Sequence, residues 1–246
     1  TADGDVLNVA TNASGSWVTE TVDSADEVGY ESSLTLDNDG NAWVSYLTPS
    51  ADTALKVATN LGGDWTVEVV DSGNNVGQFS SIAADNSGHV WVSYYESATA
   101  SLKVATNKDG SWASETVDSS ALSGGNDDGY GVYTSMVLDA TGSAWVSYVA
   151  DPSGDLKIAT NASGEWIRVV VDDTCEINGP TSIALDKAGK AWIAYWNDSA
   201  NEALKLATNA SGAWAIETLV EGPDATDGFG SSLALDSAGN AWVSYT

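Results

Sequence analysis

One pair of motifs, written five times over, constrains this chain more than anything else in it. "LNVATNASGSW", "LKVATNLGGDW", "LKVATNKDGSW", "LKIATNASGEW" and "LKLATNASGAW" open at Leu7, Leu55, Leu102, Leu156 and Leu204. A second set, "SLTLDNDGNAWVSY", "SIAADNSGHVWVSY", "SMVLDATGSAWVSY", "SIALDKAGKAWIAY" and "SLALDSAGNAWVSY", opens at Ser33, Ser81, Ser135, Ser182 and Ser232. Copies recur every 47 to 54 residues. That period belongs to solenoids and propellers, in which a repeat is one supersecondary unit that buries its apolar face only against its neighbours.

Within a copy, four short segments alternate or are β-branched, and none shows a helical period. In the first full copy they are "SLTLD", "AWVSY", "LKVATN" and "WTVEVV". Turns such as "DNDGN" join the first pair and turns such as "NASGS" the last pair, both with glycine where a tight hairpin needs a left-handed residue. The prediction is an all-β fold of four-stranded antiparallel sheets stacked radially, the blades of a propeller.

Ten of the eleven tryptophans fall in the repeat. Trp43, Trp91, Trp145, Trp192 and Trp242 open second strands; Trp17, Trp65, Trp112, Trp166 and Trp214 open fourth strands. Large rings at equivalent positions read as filling for the wedge-shaped gaps between neighbouring sheets. The first strand instead alternates Ser, Ala or Thr with Leu, Ile or Met, which suits the crowded axis.

Counting strands decides the arrangement. The N-terminal segment holds only the third and fourth strands of a blade, and the C-terminal segment only the first and second. The expectation is a single five-bladed β-propeller over residues 1–246, with blades at about 32–71, 80–118, 134–172, 181–220, and 231–246 completed by 5–23. Closure of this kind removes two unpaired edges. An open solenoid is the rival and would leave half-blades without capping sequence.

The net charge of −27, from 35 acidic against 8 basic side chains, excludes nucleic acid and anionic membranes as partners, since both would be repelled. It suits a salty or extracellular medium, where screening relieves self-repulsion. Cys175 is the only cysteine, so no intrachain disulfide forms and packing must supply stability. No apolar run approaches the length of a membrane span, and no charged-then-apolar leader is present. An extracellular or cell-surface protein, mature from Thr1, is the expected localisation.

Function is expected on the long links that precede first strands and follow second strands, because these vary while the turns do not. Their aromatics are Tyr30, Phe79, Tyr130, Tyr133 and Phe229 before first strands, with Tyr95 and Trp196 just after second strands. Rings beside Asp and Asn suit a sugar, whose C–H faces stack and whose hydroxyls need acceptors. The same rings would equally serve as plugs.

Catalysis has a thin inventory. His89, the sole histidine, sits in the turn "DNSGHVW" and reads as a surface residue, and without a histidine nearby Cys175 lacks an activator. A glycosidase needs only a carboxylate pair: Glu31, at the start of an innermost strand, with Asp127 and Asp128 as partners. In "DNDGN" the alternation of Asp37, Asp39 and Asn41 loosely fits a calcium loop, but aligned turns keep only the first acid, so hairpin chemistry explains it. No cofactor is expected; calcium, there or at "SGGNDDG", is the reserve. Asn12, Asn161, Asn197 and Asn209 match the glycosylation pattern, although turn chemistry alone accounts for three of them.

The blade "SLALDSAGNAWVSY" followed by "LKLATNASGAW" resembles repeats of extracellular bacterial β-propeller proteins. Its first hairpin is similar to NHL-type blades, and five near-equivalent blades resemble the layout of tachylectin-type lectins. The resemblance implies a fold and no activity; the glycine spacing does not fit the Asp-box of sialidase-like propellers. Three function classes follow. A secreted module that binds carbohydrate comes first, because repetition offers several weak sites at once. A glycoside hydrolase or lyase at the channel mouth is second. A scaffold that docks another protein is third.

Overall fold

The computed structural model describes residues 6–25, 27–49, 53–73, 75–119, 133–150, 153–174, 176–177, 179–198, 202–222 and 230–245. Among them are twenty strands and no helix. β1 (Leu7–Thr11) and β2 (Val18–Asp23) pair as a two-stranded sheet. β3 (Tyr30–Leu36), β4 (Ala42–Thr48), β5 (Ala54–Thr59) and β6 (Thr66–Ser72) form the first four-stranded sheet. The second holds β7 (Val76–Ala84), β8 (Val90–Glu96), β9 (Ser101–Thr106) and β10 (Ala113–Asp118). The third runs β11 (Thr134–Leu138), β12 (Ala144–Ala150), β13 (Asp155–Thr160), β14 (Ile167–Asp172). In the fourth are β15 (Ser182–Leu185), β16 (Ala191–Asn197), β17 (Ala203–Thr208) and β18 (Ala215–Glu221). β19 (Ser232–Leu235) and β20 (Ala241–Ser244) make a second two-stranded sheet. Strand order within every four-stranded sheet follows the sequence, so these are meander blades of a β-propeller, as the repeat predicts.

Burial follows strand position. All seven residues of β4 are buried, whereas the first four of β6 are exposed. A middle strand is covered on both faces by adjacent sheets and carries a continuous apolar run, while the outermost strand meets water and carries Thr and Glu.

The chain divides into two compact units, residues 1–98 with 103–115, and residues 99–102 with 116–246. In the first unit, Leu7, Val22 and Val28 pack on Val44, Tyr46 and Ala58, seating β1–β2 against the first sheet. Trp43, Leu55 and Val57 pack on Val76, Ile82, Val92 and Tyr94 in the next seam. The second unit holds Leu156, Ile158, Val171, Ile183, Ile193 and Tyr195 in one cluster, and Leu233 packs on Ala194 and Leu206 in another. Each fully buried Leu, Val or Ile contributes roughly 1.5–3 kcal/mol, so the seams between sheets carry the stability that no disulfide supplies.

The expectation that the tryptophans fill gaps holds at Trp43 and Trp91, 6% and 5% exposed. It fails at Trp17 and Trp242, 73% and 66% exposed. Trp17 directly precedes β2 and Trp242 lies in β20, each in one of the two-stranded sheets.

Candidate functional site

Two backbone features mark the long-link end of the first unit. The chain enters β3 and β7 through bulges, with register slips between Tyr30 and Ser33 and between Gln78 and Ser81. Within them Glu31 and Phe79, at aligned positions, take left-handed backbone angles of +51° and +53°. Non-glycine residues hold such angles only when the surroundings over-determine them, which occurs at bulges that re-aim a side chain. The Glu31 carboxylate is turned onto the next sheet, where Oε2 accepts the Phe79 N–H at 2.5 Å, and the Ser80 hydroxyl reaches the Glu31 carbonyl at 3.4 Å. Desolvation by the surrounding protein pushes the Glu31 carboxyl above its ordinary pKa, and the Phe79 amide only partly offsets that. Tyr30, beside it, is 42% exposed.

The other expected site residues scatter. Tyr133 is half-buried at the start of β11. Tyr95 and Trp196 are 7% and 3% exposed, so they belong to the packed interior and offer no open ring. Trp196 packs with Leu204, Val220 and Val243. Its place just after the repeated "AWIAY" pattern lies on β16, which continues through Asn197. Tyr130, Phe229, Asp127, Asp128 and Cys175 lie outside the described residues. His89 is a turn residue, its Nδ1 2.9 Å from Asp85 Oδ2.

The acids of the hairpin turns serve the turns. Asp37 Oδ1 accepts the amides of Asp39 and Asn41, while Oδ2 accepts the Asn41 side chain and the Trp43 indole N–H. Burial alone would raise this carboxyl, but these donors hold it below the usual range. Asp39 and Asn41 do not join Asp37 around a common point. Among the described residues no group of three or more His, Cys, Asp or Glu is placed to hold a metal ion.

Sequon asparagines behave likewise. Asn161 and Asn209 Oδ1 accept the Ala144 and Ala191 amides at 2.8 and 2.9 Å, the same clasp that Asn60 and Asn107 make on Ala42 and Val90. Asn197 is 5% exposed, which removes it as an acceptor. Asn12 alone of the four is exposed.

Sequence reasoning missed the most regular polar feature. Asp23 Oδ2 accepts the Tyr46 hydroxyl at 2.6 Å and the Lys56 ammonium at 3.3 Å. Asp71 does so with Tyr94 and Lys103 at 2.5 and 2.6 Å, Asp118 with Tyr148 and Lys157 at 2.7 and 3.4 Å, and Asp172 with Tyr195 and Lys205 at 2.7 and 3.3 Å. Each Asp lies at the end of an outer strand or, for Asp71, one residue before it, and its Tyr and Lys come from the middle strands of the following sheet. A bulge one residue earlier, marked by the slips at Leu7, Leu55 and Leu156, turns the Asp toward its partners. Burial would raise Asp23, Asp71 and Asp172, but the hydroxyl, amide and ammonium donors outweigh it and depress all three. The signal was present in the sequence as "WVSY", "LKVAT" and a strand-ending Asp in register, but reading segments one at a time does not show which ones meet.

A groove of about 700 Å³ lies between the first sheet and the β9–β10 turn of the second, lined among others by Trp43, Leu61, Glu68, Asn107 and Trp112. The Trp112 indole N–H donates to Glu68 Oε2 at 2.8 Å, repeating the pair Trp65 with Glu20 at the preceding seam. It lies beside the tight turns rather than the long links.

No protein-family model and no curated protein matches the chain. Solved structures do match in fold. A mutant of AofleA from Arthrobotrys oligospora superposes with TM-score 0.62 at 16% identity, over 98% of this chain and 72% of that one. The GH93 α-L-arabinofuranosidase of Fusarium graminearum, in complex with arabinobiose, gives 0.55 at 13% identity over 89% and 75%. A PL25 ulvan lyase bound to -[GlcA(1-4)Rha3S]- gives 0.55 at 12% over 88% of this chain and 60% of that one. At these identities the likeness is one of fold, and the fold is a β-propeller.

Proposed function

We propose that this protein is a secreted or surface-exposed carbohydrate-binding propeller that engages its glycan at the long-link end of the sheets. The observation that carries this reading is the pair of bulges at Glu31 and Phe79. They bring an exposed tyrosine, a half-exposed phenylalanine and a carboxylate to adjoining positions, with one carboxylate oxygen held by the Phe79 amide. Rings for C–H faces and a fixed acceptor for hydroxyls are the two requirements of sugar recognition. Fold neighbours solved with arabinobiose and with -[GlcA(1-4)Rha3S]- support carbohydrate in general as the ligand. The net charge of −27 favours neutral or amino sugars over uronates and sulfates, which it would repel.

A second reading has its own observation, the raised Glu31 carboxyl, which is what a general acid needs. In that reading Asp127 or Asp128 is the second carboxylate and the protein is a glycoside hydrolase or lyase.

Calorimetry with a panel of neutral and amino oligosaccharides tests both. Binding that weakens about tenfold or more in Tyr30→Ala and Glu31→Gln, and not in Glu68→Gln, supports the lectin-like reading; tenfold is about 1.4 kcal/mol. An unresponsive panel, or Glu31→Gln binding as well as the parent, overturns it. Turnover of an oligosaccharide that Glu31→Gln abolishes while binding persists puts the hydrolase in its place.

A further inference from the structure

We infer that the groove between the first sheet and the β9–β10 turn is a docking site for a basic segment of another protein, which seats an aliphatic side chain against Leu61 and Val69 and a lysine or arginine on Glu68. All of its lining residues belong to the first unit. It shares none of them with the bulges at Glu31 and Phe79, so the inference goes beyond the glycan reading.

Two departures from the repeat meet in this groove. Leu61 stands in a tight turn where the other copies hold Ala13, Lys108, Ala162 and Ala210, and it is 55% exposed. Val69 is 56% exposed, on an outer strand whose aligned positions hold Thr21, Thr116 and Thr218, with Val170 as the fourth. Neither residue is required by the fold, since the same turn forms around alanine or lysine and the same strand around threonine. Both put apolar surface into water, and both line the one groove, over buried Val57 and Trp43. Apolar surface gathered along a concavity and rimmed by polar groups marks an interaction site. At the preceding seam the pair of Trp65 with Glu20 repeats the pair of Trp112 with Glu68. There the two rim positions are Ala13 and Thr21, so that seam has the dyad without the apolar rim.

The polar lining sets the chemistry of the occupant. Glu68 Oε2 accepts the Trp112 indole N–H at 2.8 Å, which holds the carboxylate in place, and Oε1 has no partner among the described residues. Asn107 commits Oδ1 to the Val90 amide at 2.8 Å, and its Nδ2 has no partner among the described residues. The groove therefore offers one charged acceptor and one neutral donor. A peptide supplies both complements, a basic side chain for Glu68 and a main-chain carbonyl for Asn107. No lining residue is basic, and Asp64 and Asp109 are exposed on the two adjoining turns. Lys108, on the β9–β10 turn, is placed over the Trp91 ring at 5.3 Å, and Trp91 does not line the groove. With a net charge of −27, a second copy of this chain or an acidic partner is repelled, whereas a basic segment is steered in. Trp43 and Trp112 are packed into the seam core, and the exposed rims are aliphatic. They suit a leucine or valine side chain better than the flat face of a sugar ring, which stacks on aromatic surface.

An array of short capped peptides built from Leu, Lys, Glu and Ala in varied order, probed with the full chain at about 0.15 M salt, tests this. Peptides that contain both Leu and Lys should be retained, and those of Lys with Ala, or of Leu with Glu, should not. In solution, fluorescence anisotropy on the tightest peptide should show a loss of about tenfold or more in Leu61→Ala and in Glu68→Gln. Leu61→Ala installs the residue that three other copies carry, so its thermal melt should match the parent. Binding should be unchanged in Glu20→Gln, which removes the same charge from the same kind of tryptophan pair where the rim is absent, and in Glu31→Gln. Retention of no peptide overturns the inference. So do equal affinity for the Lys and Ala peptides, or an equal loss in Glu20→Gln, either of which would mean unspecific attraction to an acidic surface. Displacement of the peptide by a neutral oligosaccharide whose own binding fails in Glu68→Gln would make the groove a glycan site and overturns it too. Peptide binding that persists while the oligosaccharide panel stays silent overturns the glycan reading alone.

Discussion

Ser231 carries a buried hydroxyl with no hydrogen-bond partner among the described residues, and the residue responsible is Ala194. At aligned positions Ser45 pairs with Ser80 at 2.9 Å and Ser147 with Thr181 at 2.8 Å, both pairs buried. Ala194 stands where Ser45 and Ser147 stand, and Ser231 where Ser80 and Thr181 do, so one partner has been lost and the other left behind. A buried hydroxyl without a partner costs about 1–3 kcal/mol, and a satisfied bond contributes about 1. Ala194→Ser restores the pair in a site whose counterparts already hold a serine, so it should stabilise by about 1 kcal/mol and raise Tm by about 2–4 °C. Urea titration of Ala194→Ser, Ser231→Ala and the double variant should show positive coupling between the two positions, and a destabilised Ala194→Ser would sink this account. The same scale explains what was legible in the sequence. Repeat register alone placed Trp43 and Trp91 in seams, because large rings at a fixed position have one packing use. It put Tyr95 and Trp196 on the link face because they directly follow the "WVSY"-type pattern, whereas the middle strands extend by those residues into the buried interior.

Among elements, the link from an outer strand to the next inner strand is where sequence variability misleads. These links differ in length and content, yet in the first unit they end alike. Val28 and Val76 are 4% and 0% exposed, and each is followed by a glycine pressed against the third strand of the preceding sheet. Gly77 has φ +92°, and a Cβ there would sit 2.9 Å from Leu55 Cβ; at Gly29 the corresponding approach to Leu7 is 3.2 Å. The link is thus part hydrophobic peg and part bulge, and the bulge is what turns Glu31 and Phe79 toward each other. Strands and tight turns were readable because alternation and Asn-Gly chemistry are local, whereas a bulge and a peg are defined by the sheet they touch. Gly77→Ala should cost about 2–4 kcal/mol, from a left-handed backbone and overpacking together. Gly62→Ala, at φ +95° with open space around it, should cost only about 1. Chemical denaturation of the two variants separates the effects, and equal losses would show that the close approach carries no energy.

For the whole molecule, a net charge of −27 opposes compaction, while the Tyr–Asp–Lys clusters oppose acid and alkaline unfolding, and the two together set a stability profile with pH. Asp23, Asp71 and Asp172 have folded pKa values below the ordinary ~3.9 of an unfolded Asp. Their contribution is complete above that value and is lost as pH falls through the depressed folded values. Tyr46, Tyr94 and Tyr148 are raised, first by burial and then by the Asp that accepts each hydroxyl. Their contribution is complete below the unfolded value of about 10 and is lost as pH climbs above it toward the folded values. Between these limits the clusters are constant, so the slope there belongs to repulsion. Lowering pH from 7 toward 5 begins to protonate exposed acids and should raise Tm, before the clusters fail below about pH 4. Added salt makes the same case at fixed pH. Going from ~0.01 to ~1 M shortens the screening length from about 30 to about 3 Å, which relieves repulsion among exposed acids. It touches the cluster pairs less, because their Asp side chains are only 1–17% exposed. Scanning calorimetry at pH 7 should therefore show Tm rising with sodium chloride. A Tm that falls instead would mean that the four ion pairs outweigh the surplus charge, and that electrostatics holds these sheets together where packing is said to do so.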